Sequence, residues 1–150
     1  MSPIAPPNDH RHPDIHAVDL APDYRYRRLT RDVTIRYGDG EFEYITVPRG
    51  FVWDGASVPW LFRRVVTQHG GRHQAAALLH DYLYSTGLYP REVADELFRR
   101  AMAYNGTSAA IVWPVYIGVR LGGWVAWRAH RRREAEADAR RQQIQEPPHE

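Results

Sequence analysis

Cysteine is absent from the 150-residue chain, which excludes a disulfide framework and any thiolate-held metal. An ion would have to be held by His, Asp or Glu. A secretory leader is also missing from the start: Met1-Ser2-Pro3-Ile4-Ala5-Pro6-Pro7 has neither a basic head nor an apolar run, so an intracellular setting is expected. Charge of one sign is nearly balanced, with 20 basic against 18 acidic residues and a net charge of +2. Despite a pI of 9.1, that excess gives no argument for nucleic acid. No Gly-rich phosphate loop, zinc-protease helix motif, Ser-His-Asp order or internal repeat occurs.

One long apolar stretch exists, Ala109 to Ala129. Pro114, Arg120 and Arg128 interrupt it, and a central Arg costs at least ~2.5 kcal/mol on insertion scales. A buried helix is expected there, not a membrane span. The composition, 43% hydrophobic and 25% charged with 5 Trp and 9 Tyr, suits a packed single domain.

Residues 1–23 are Pro-rich and aperiodic and read as an extended arm. Its histidines His10, His12 and His16 have no accompanying carboxylate pattern, so a polar tail is expected. Val33, Ile35 and Tyr37 alternate, Gly38-Asp39-Gly40 follows, and Phe42 to Val47 is again β-rich. The pattern predicts a hairpin, with Tyr24 to Leu29 as a third strand.

Helical patterns follow: Pro59 to Val66, Arg72 to Tyr84 stopped by Gly87, Pro90 to Tyr104 closed by Asn105-Gly106, and a helix from Ser108 that kinks near Pro114. Its Arg/Glu/Ala-rich continuation from Arg128 to Gln143 reads as a solvated extension with i,i+4 charge pairs. The fold class is thus α+β, a small N-terminal antiparallel hairpin or sheet packed on three to four helices. One domain spans 24–130, and 131–150 form a charged extension and tail.

At about 100° per residue, Ala75, Leu78, Leu79, Tyr82 and Leu83 share a core face of the helix 72–84. His73, His80 and Tyr84 fall on a stripe opposite, a wet surface or a pocket lining, with Asp81 beside it. Adjacent His80 and Asp81 could bite one ion or relay a proton. Asp95 sits at the margin of the next helix's apolar face and needs a partner: Arg91, Arg99, or a group on the preceding helix. The short link 85–89 sets these helices antiparallel, bringing Asp95 towards His80 and Asp81. Between Trp53 and Trp60, Asp54 and Ser57 are either caps or, for Asp54, a further ligand or base near His80.

The blocks Phe51-Val52-Trp53-Asp54-Gly55-Ala56-Ser57-Val58-Pro59 and Ala75 to Tyr84, then Arg91, Ala94-Asp95, Phe98, Ala101-Met102, Tyr116, Val119-Arg120 and Gly122 or Gly123, resemble the domain-of-unknown-function family 1353. Their joint order over roughly 30–127 carries the likeness. Trp53 replaces the Thr or Ser usual there, and Trp60 an Arg. The resemblance implies a tailed-bacteriophage or prophage protein, in the bacterial host cytoplasm and in the virion.

Two functions compete. In the first, the protein is a virion, tail or assembly component, with other phage structural proteins or its own copies as partners. Asp54, Ser57, His80, Asp81 and Asp95, with Tyr84 and Arg120, then form a buried polar network fixing the hairpin against the helices, in which Asp81 pairs with Arg120 or caps backbone. The alternative is a small hydrolase using a divalent metal on His80, Asp81 and Asp95, with Asp54, His80 and Asp81 as catalytic groups. Neither a membrane nor nucleic acid is expected as partner.

Overall fold

The computed structural model describes residues 12–22, 26–54 and 73–145. The expected helix Pro59 to Val66, and Ser57, lie outside these residues. Among the described residues, five short strands precede three helices, and the class is α+β. The strands are β1 (Ala17–Leu20), β2 (Tyr26–Leu29), β3 (Val33–Arg36), β4 (Tyr44–Val47) and β5 (Val52–Asp54). The helices are α1 (Gln74–Thr86), α2 (Arg91–Tyr104) and α3 (Ala109–Gln145).

The hairpin forms as the alternation predicts: β3 and β4 are antiparallel, with Val33 opposite Val47 and Ile35 opposite Ile45. Val33, Ile35 and Val47 are at most 2% exposed, so one face of the hairpin is core and the Thr34–Thr46 hydroxyl pair, at 2.9 Å, lies on the other. The connection is longer than a tight turn. Glu43 N–H donates to Gly40 O and Tyr37 N–H to Glu43 O, while Arg100 of α2 holds the Glu43 carboxylate.

The third strand is present but belongs to another sheet. β2 is the centre of a three-stranded antiparallel sheet ordered β1-β2-β5. This corrects the arm expectation for residues 17–20, which pair with β2 from Ala17–Leu29 to Leu20–Tyr26. Proline density hid a strand only four residues long. Gly50, at φ 85°, makes the turn that returns the chain from the hairpin to this sheet. There Gly50 N–H donates to Leu29 O and Leu29 N–H to Phe51 O.

Helix ends follow their signals. Gly87 takes the left-handed conformation (φ 60°) and donates to Leu83 O. Gly106 does the same after α2 (φ 83°), and Thr107 N–H closes back on Met102 O. Arg131 reaches across from α3 and donates to Tyr84 O and Ser85 O, satisfying carbonyls that the end of α1 leaves open. α3 continues unbroken through Pro114, whose missing N–H deprives only Ala110 O near the helix start.

α1 is the central element. Leu78, Leu79 and Leu83 are at most 1% exposed, and Ala94, Phe98 and Ala101 of α2 close over it. The stripe expected to be a wet surface or a pocket lining is packed: His73 and Tyr84 are only 4% exposed. Helices cover α1 on that side and the hairpin on the other, so nearly its whole circumference is interior. The contacts His73–Thr107, His80–Asp95 and Tyr84–Asp95 run in opposite chain directions, so α1 and α2 are antiparallel.

The expectation of a buried α3 is not met. Val112, Val115 and Val119 face the core, but only 22% of the helix's most apolar 18-residue stretch is buried. By length and composition it is the one helix among the described residues long and apolar enough to cross a membrane. Its continuation carries charge pairs, Arg132–Glu136 at the expected i,i+4 spacing and Arg131–Glu134 and Arg141–Asp138 at i,i+3.

Candidate functional site

The chemistry-bearing residues meet where the three helices touch, and Asp95 is the hub. Its position on α2 follows from periodicity, one residue beyond Ala94 and one turn before Phe98. Its burial does not, because the carboxylate is 0% exposed. Such a group is tolerated only when its lone pairs are filled. From α1, His80 Nε2 lies 2.9 Å from Oδ1, and Tyr84 donates its hydroxyl to the same oxygen at 2.5 Å. From α3, Arg120 donates to Oδ2 at 2.9 Å. Arg91, one turn earlier on α2, lies 3.9 Å from Oδ2 and donates to Arg120 O at 3.2 Å.

Burial pushes the Asp95 carboxyl up, but the hydrogen bonds from His80 and Tyr84, the His80 charge and the Arg120 bond together hold it below the usual carboxylate range. An ionised carboxylate can only accept, so His80 Nε2 carries the shared proton. Burial and the Asp95 carboxylate push the Tyr84 phenol well above the ordinary tyrosine range. The phenol stays a neutral donor at any pH the fold experiences.

Packing fixes the same groups sterically. The His80 ring lies between Tyr84, with centroids 4.0 Å apart, and Phe98, at 4.7 Å. Trp127 meets Tyr84 edge-on at 5.2 Å. At Gly123 an added Cβ would sit 2.6 Å from Tyr84 Oη, whereas at Gly122 it would meet open space. The adjacent glycines therefore separate two effects. Gly122→Ala should raise stability by about 0.5–1 kcal/mol through helix propensity. Gly123→Ala should lower it by about 1 kcal/mol, because overpacking costs roughly 1–3 kcal/mol and displaces Tyr84 from Asp95. Urea unfolding of the two variants reads both signs.

The acid limb of stability carries the Asp95 signature. A carboxylate whose folded pKa is depressed contributes stability that is present above its unfolded pKa, about 3.9, and is lost as pH falls through the folded value. Wild type should therefore lose stability progressively below about pH 4–5, and Asp95→Asn should show a shallower slope there. Thermal unfolding between pH 2.5 and 7 measures this.

Of the sequence-predicted groups, His80, Tyr84, Asp95 and Arg120 come together. Asp81 does not join them. About 100° round α1 from His80, it faces a separate cavity of about 140 Å³. Ser85 shares that face of α1. Trp53 and Val52 of β5 and Tyr26 of β2 form one wall, and His130 and Arg133 of α3 another. Arg120, one of two partners expected for Asp81 (the other being backbone), pairs with Asp95. The triad His80, Asp81, Asp95 is thus split over two faces, and no group of three His, Asp or Glu able to hold a metal occurs among the described residues. Arg99, another candidate partner for Asp95, holds Glu96 at 2.5 and 2.8 Å. Asp54 ends β5 opposite Tyr26; its side chain lies outside the described part of the structure.

Sequence reasoning missed the cavity's α3 wall. Burial and the neighbouring Arg133 and Arg131 hold His130 below the ordinary imidazole range. The available signal was the i,i+3 spacing of His130 and Arg133 on a helix assigned to solvent. His73 is buried, and its Nδ1 pairs with Thr107 Oγ1 at 2.8 Å, tying the start of α1 to the α2–α3 turn.

Searches of curated proteins and of solved structures return no match. A family model described as a protein of unknown function (DUF1353) matches residues 27–119, a span that holds the hairpin, α1, α2 and the first turns of α3, ending one residue before Arg120. By that match the chain belongs to the DUF1353 family.

Proposed function

We propose that this protein is a non-catalytic component of a tailed-phage or prophage particle, or of its assembly, in which the Asp95 network locks three helices into one rigid unit. The observation that carries this reading is the saturation of Asp95: it is fully buried, and side chains of α1 and α3 occupy both of its oxygens. Such a network specifies a fold without chemistry. Phage association rests on the sequence resemblance. Mass spectrometry of gradient-purified particles from an induced host carrying the gene tests it. The protein should be present at several copies per particle, or its deletion should leave incomplete particles. Normal particles without it would overturn the proposal.

A second reading, a small hydrolase, is favoured by one observation: the His80 side chain keeps 15% exposure while the buried Asp95 carboxylate orients its Nε2. Held through Nε2, the His80 ring leaves Nδ1 to act as the base. In this form the base is the His80–Asp95 pair. A divalent metal would need ligands beyond that pair, since Asp81 faces elsewhere. Ester, phosphoester and peptide substrates, tested with and without Zn²⁺, Mn²⁺ or Mg²⁺, discriminate. Turnover lost in His80→Gln would establish the hydrolase.

A further inference from the structure

The feature that the Asp95 network leaves unused is the outer edge of α3. Val112, Val115 and Val119 bury the inner edge, yet Trp113, Ile117, Leu121, Trp124 and Val125 are 48–73% exposed. At about 100° per residue these five lie within roughly one third of the helix circumference. They form one continuous apolar stripe, not scattered surface residues. A contiguous exposed apolar patch is often functional.

The surrounding charge indicates what covers it. Between Ala109 and Arg133 the helix carries no Asp or Glu but has Arg120, Arg128, Arg131, Arg132 and Arg133. The whole chain contains no lysine, so every basic residue counted in its charge is Arg. Two guanidinium groups stack on the exposed indoles: Arg99 lies 5.1 Å from the Trp113 ring centre, and Arg128 lies 4.9 Å from that of Trp124. Glu96 holds Arg99 and Glu92 approaches Arg120 from α2, but an apolar stripe bearing Trp, on a helix segment with arginines and no carboxylate of its own, has the chemistry of a helix lying in an anionic lipid interface. Trp favours the headgroup level, and Arg can reach lipid phosphates while its stem lies on apolar surface.

Orientation follows from the inner edge. Arg120 is held by Asp95 at 2.9 Å, and the three valines pack into the core, so α3 is fixed lengthwise against the domain. It can lie along a membrane without leaving the domain, whereas crossing one would tear out the Arg120–Asp95 pair. A second copy fits less well. A parallel pairing sets the Arg128–Arg133 runs side by side, and five side chains fall short of the roughly 800 Å² per partner of a stable interface.

We infer that the outer face of α3 docks flat on an anionic lipid surface through Trp113, Ile117, Leu121, Trp124 and Val125, with Arg128, Arg132 and Arg133 on the headgroup phosphates.

The test is co-sedimentation of the full chain with vesicles of phosphatidylcholine alone and of phosphatidylcholine mixed with phosphatidylglycerol, alongside light scattering for mass. The expected result is binding to the anionic vesicles, weakened by salt, with a blue shift of tryptophan emission. Leu121→Asp combined with Val125→Asp should reduce binding at least tenfold. Both positions are exposed, so far-UV circular dichroism should show the fold intact. Arg128→Gln with Arg132→Gln should reduce binding to anionic vesicles while leaving thermal stability unchanged. Failure to sediment with anionic vesicles would overturn the proposal. So would binding that ignores both double variants, or a dimer in solution that Leu121→Asp and Val125→Asp dissociate.

Discussion

Replacing Asp95 with alanine should lower the unfolding free energy by about 3–5 kcal/mol, the scale for removing one partner of a buried charged network. The carboxylate is the common acceptor for His80, Tyr84 and Arg120. Without it, the Tyr84 hydroxyl is left buried at 4% residue exposure, and an unmet buried donor costs about 1–3 kcal/mol. The Arg120 side chain is 31% exposed and can turn to water, which keeps the loss towards the lower end. For a domain of this size, total stability of about 5–15 kcal/mol is typical, so the variant should be close to unfolding at 37 °C. The sign separates the two functional readings. Removing a structural clamp destabilises, whereas removing a strained catalytic carboxylate is often neutral or stabilising.

The second large effect is expected from Arg120→Met, about 2–4 kcal/mol, somewhat under the scale for breaking a fully buried pair. The substitution keeps the aliphatic packing of the stem on α3 but strips the buried carboxylate of its closest cation. Arg91, 3.9 Å from Oδ2, is near enough to close in and limit the loss, which places this variant below Asp95→Ala. Because Asp95 and Arg120 touch, the two substitutions should not add. A double-mutant cycle by urea denaturation should give a coupling of about 1–3 kcal/mol. Glu92 supplies the contrast. It is 3.9 Å from Arg120 and its side chain is 66% exposed, so Glu92→Ala should change stability by no more than about 0.5 kcal/mol. Additivity of the Asp95 and Arg120 substitutions would mean that the network does not act as a unit.

Elements with a local signal were legible in the sequence. The β3–β4 hairpin follows from Val33-Thr34-Ile35, α1 and α2 end at Gly87 and Asn105-Gly106, and the Arg/Glu pairing places the end of α3 in solvent. β1 was not legible, because a strand of four residues in a proline-rich segment has no period to detect. The assignment of Tyr24 to Leu29 to the hairpin failed for a related reason. Periodicity identifies a strand, but pairing across β5 depends on the Gly50 turn that returns the chain beside it.

The site was half legible. A carboxylate at the margin of an apolar face needs a partner, and that argument leads from Asp95 to His80. It cannot tell on which side of α1 the partner lies, so Asp81 was grouped with His80 although the two diverge. The stripe His73–His80–Tyr84 reads as a wet surface or a pocket lining because a helix covered on two sides still carries its leucines towards one of them, leaving the more polar side to resemble an open one. α3 misled in the opposite sense. An apolar run implies removal from water, yet it does not say whether the protein's own core or another phase provides the cover.

Native-state hydrogen exchange on wild type and Asp95→Ala is the most direct test of the clamp. If Asp95 ties the helices together, amides of α1, α2 and the Arg120 region of α3 should lose protection together, by a common free energy of about 3 kcal/mol or more. Unchanged protection in all three helices, in a protein that remains equally stable, would contradict the clamp and favour a chemical role for the His80–Asp95 pair.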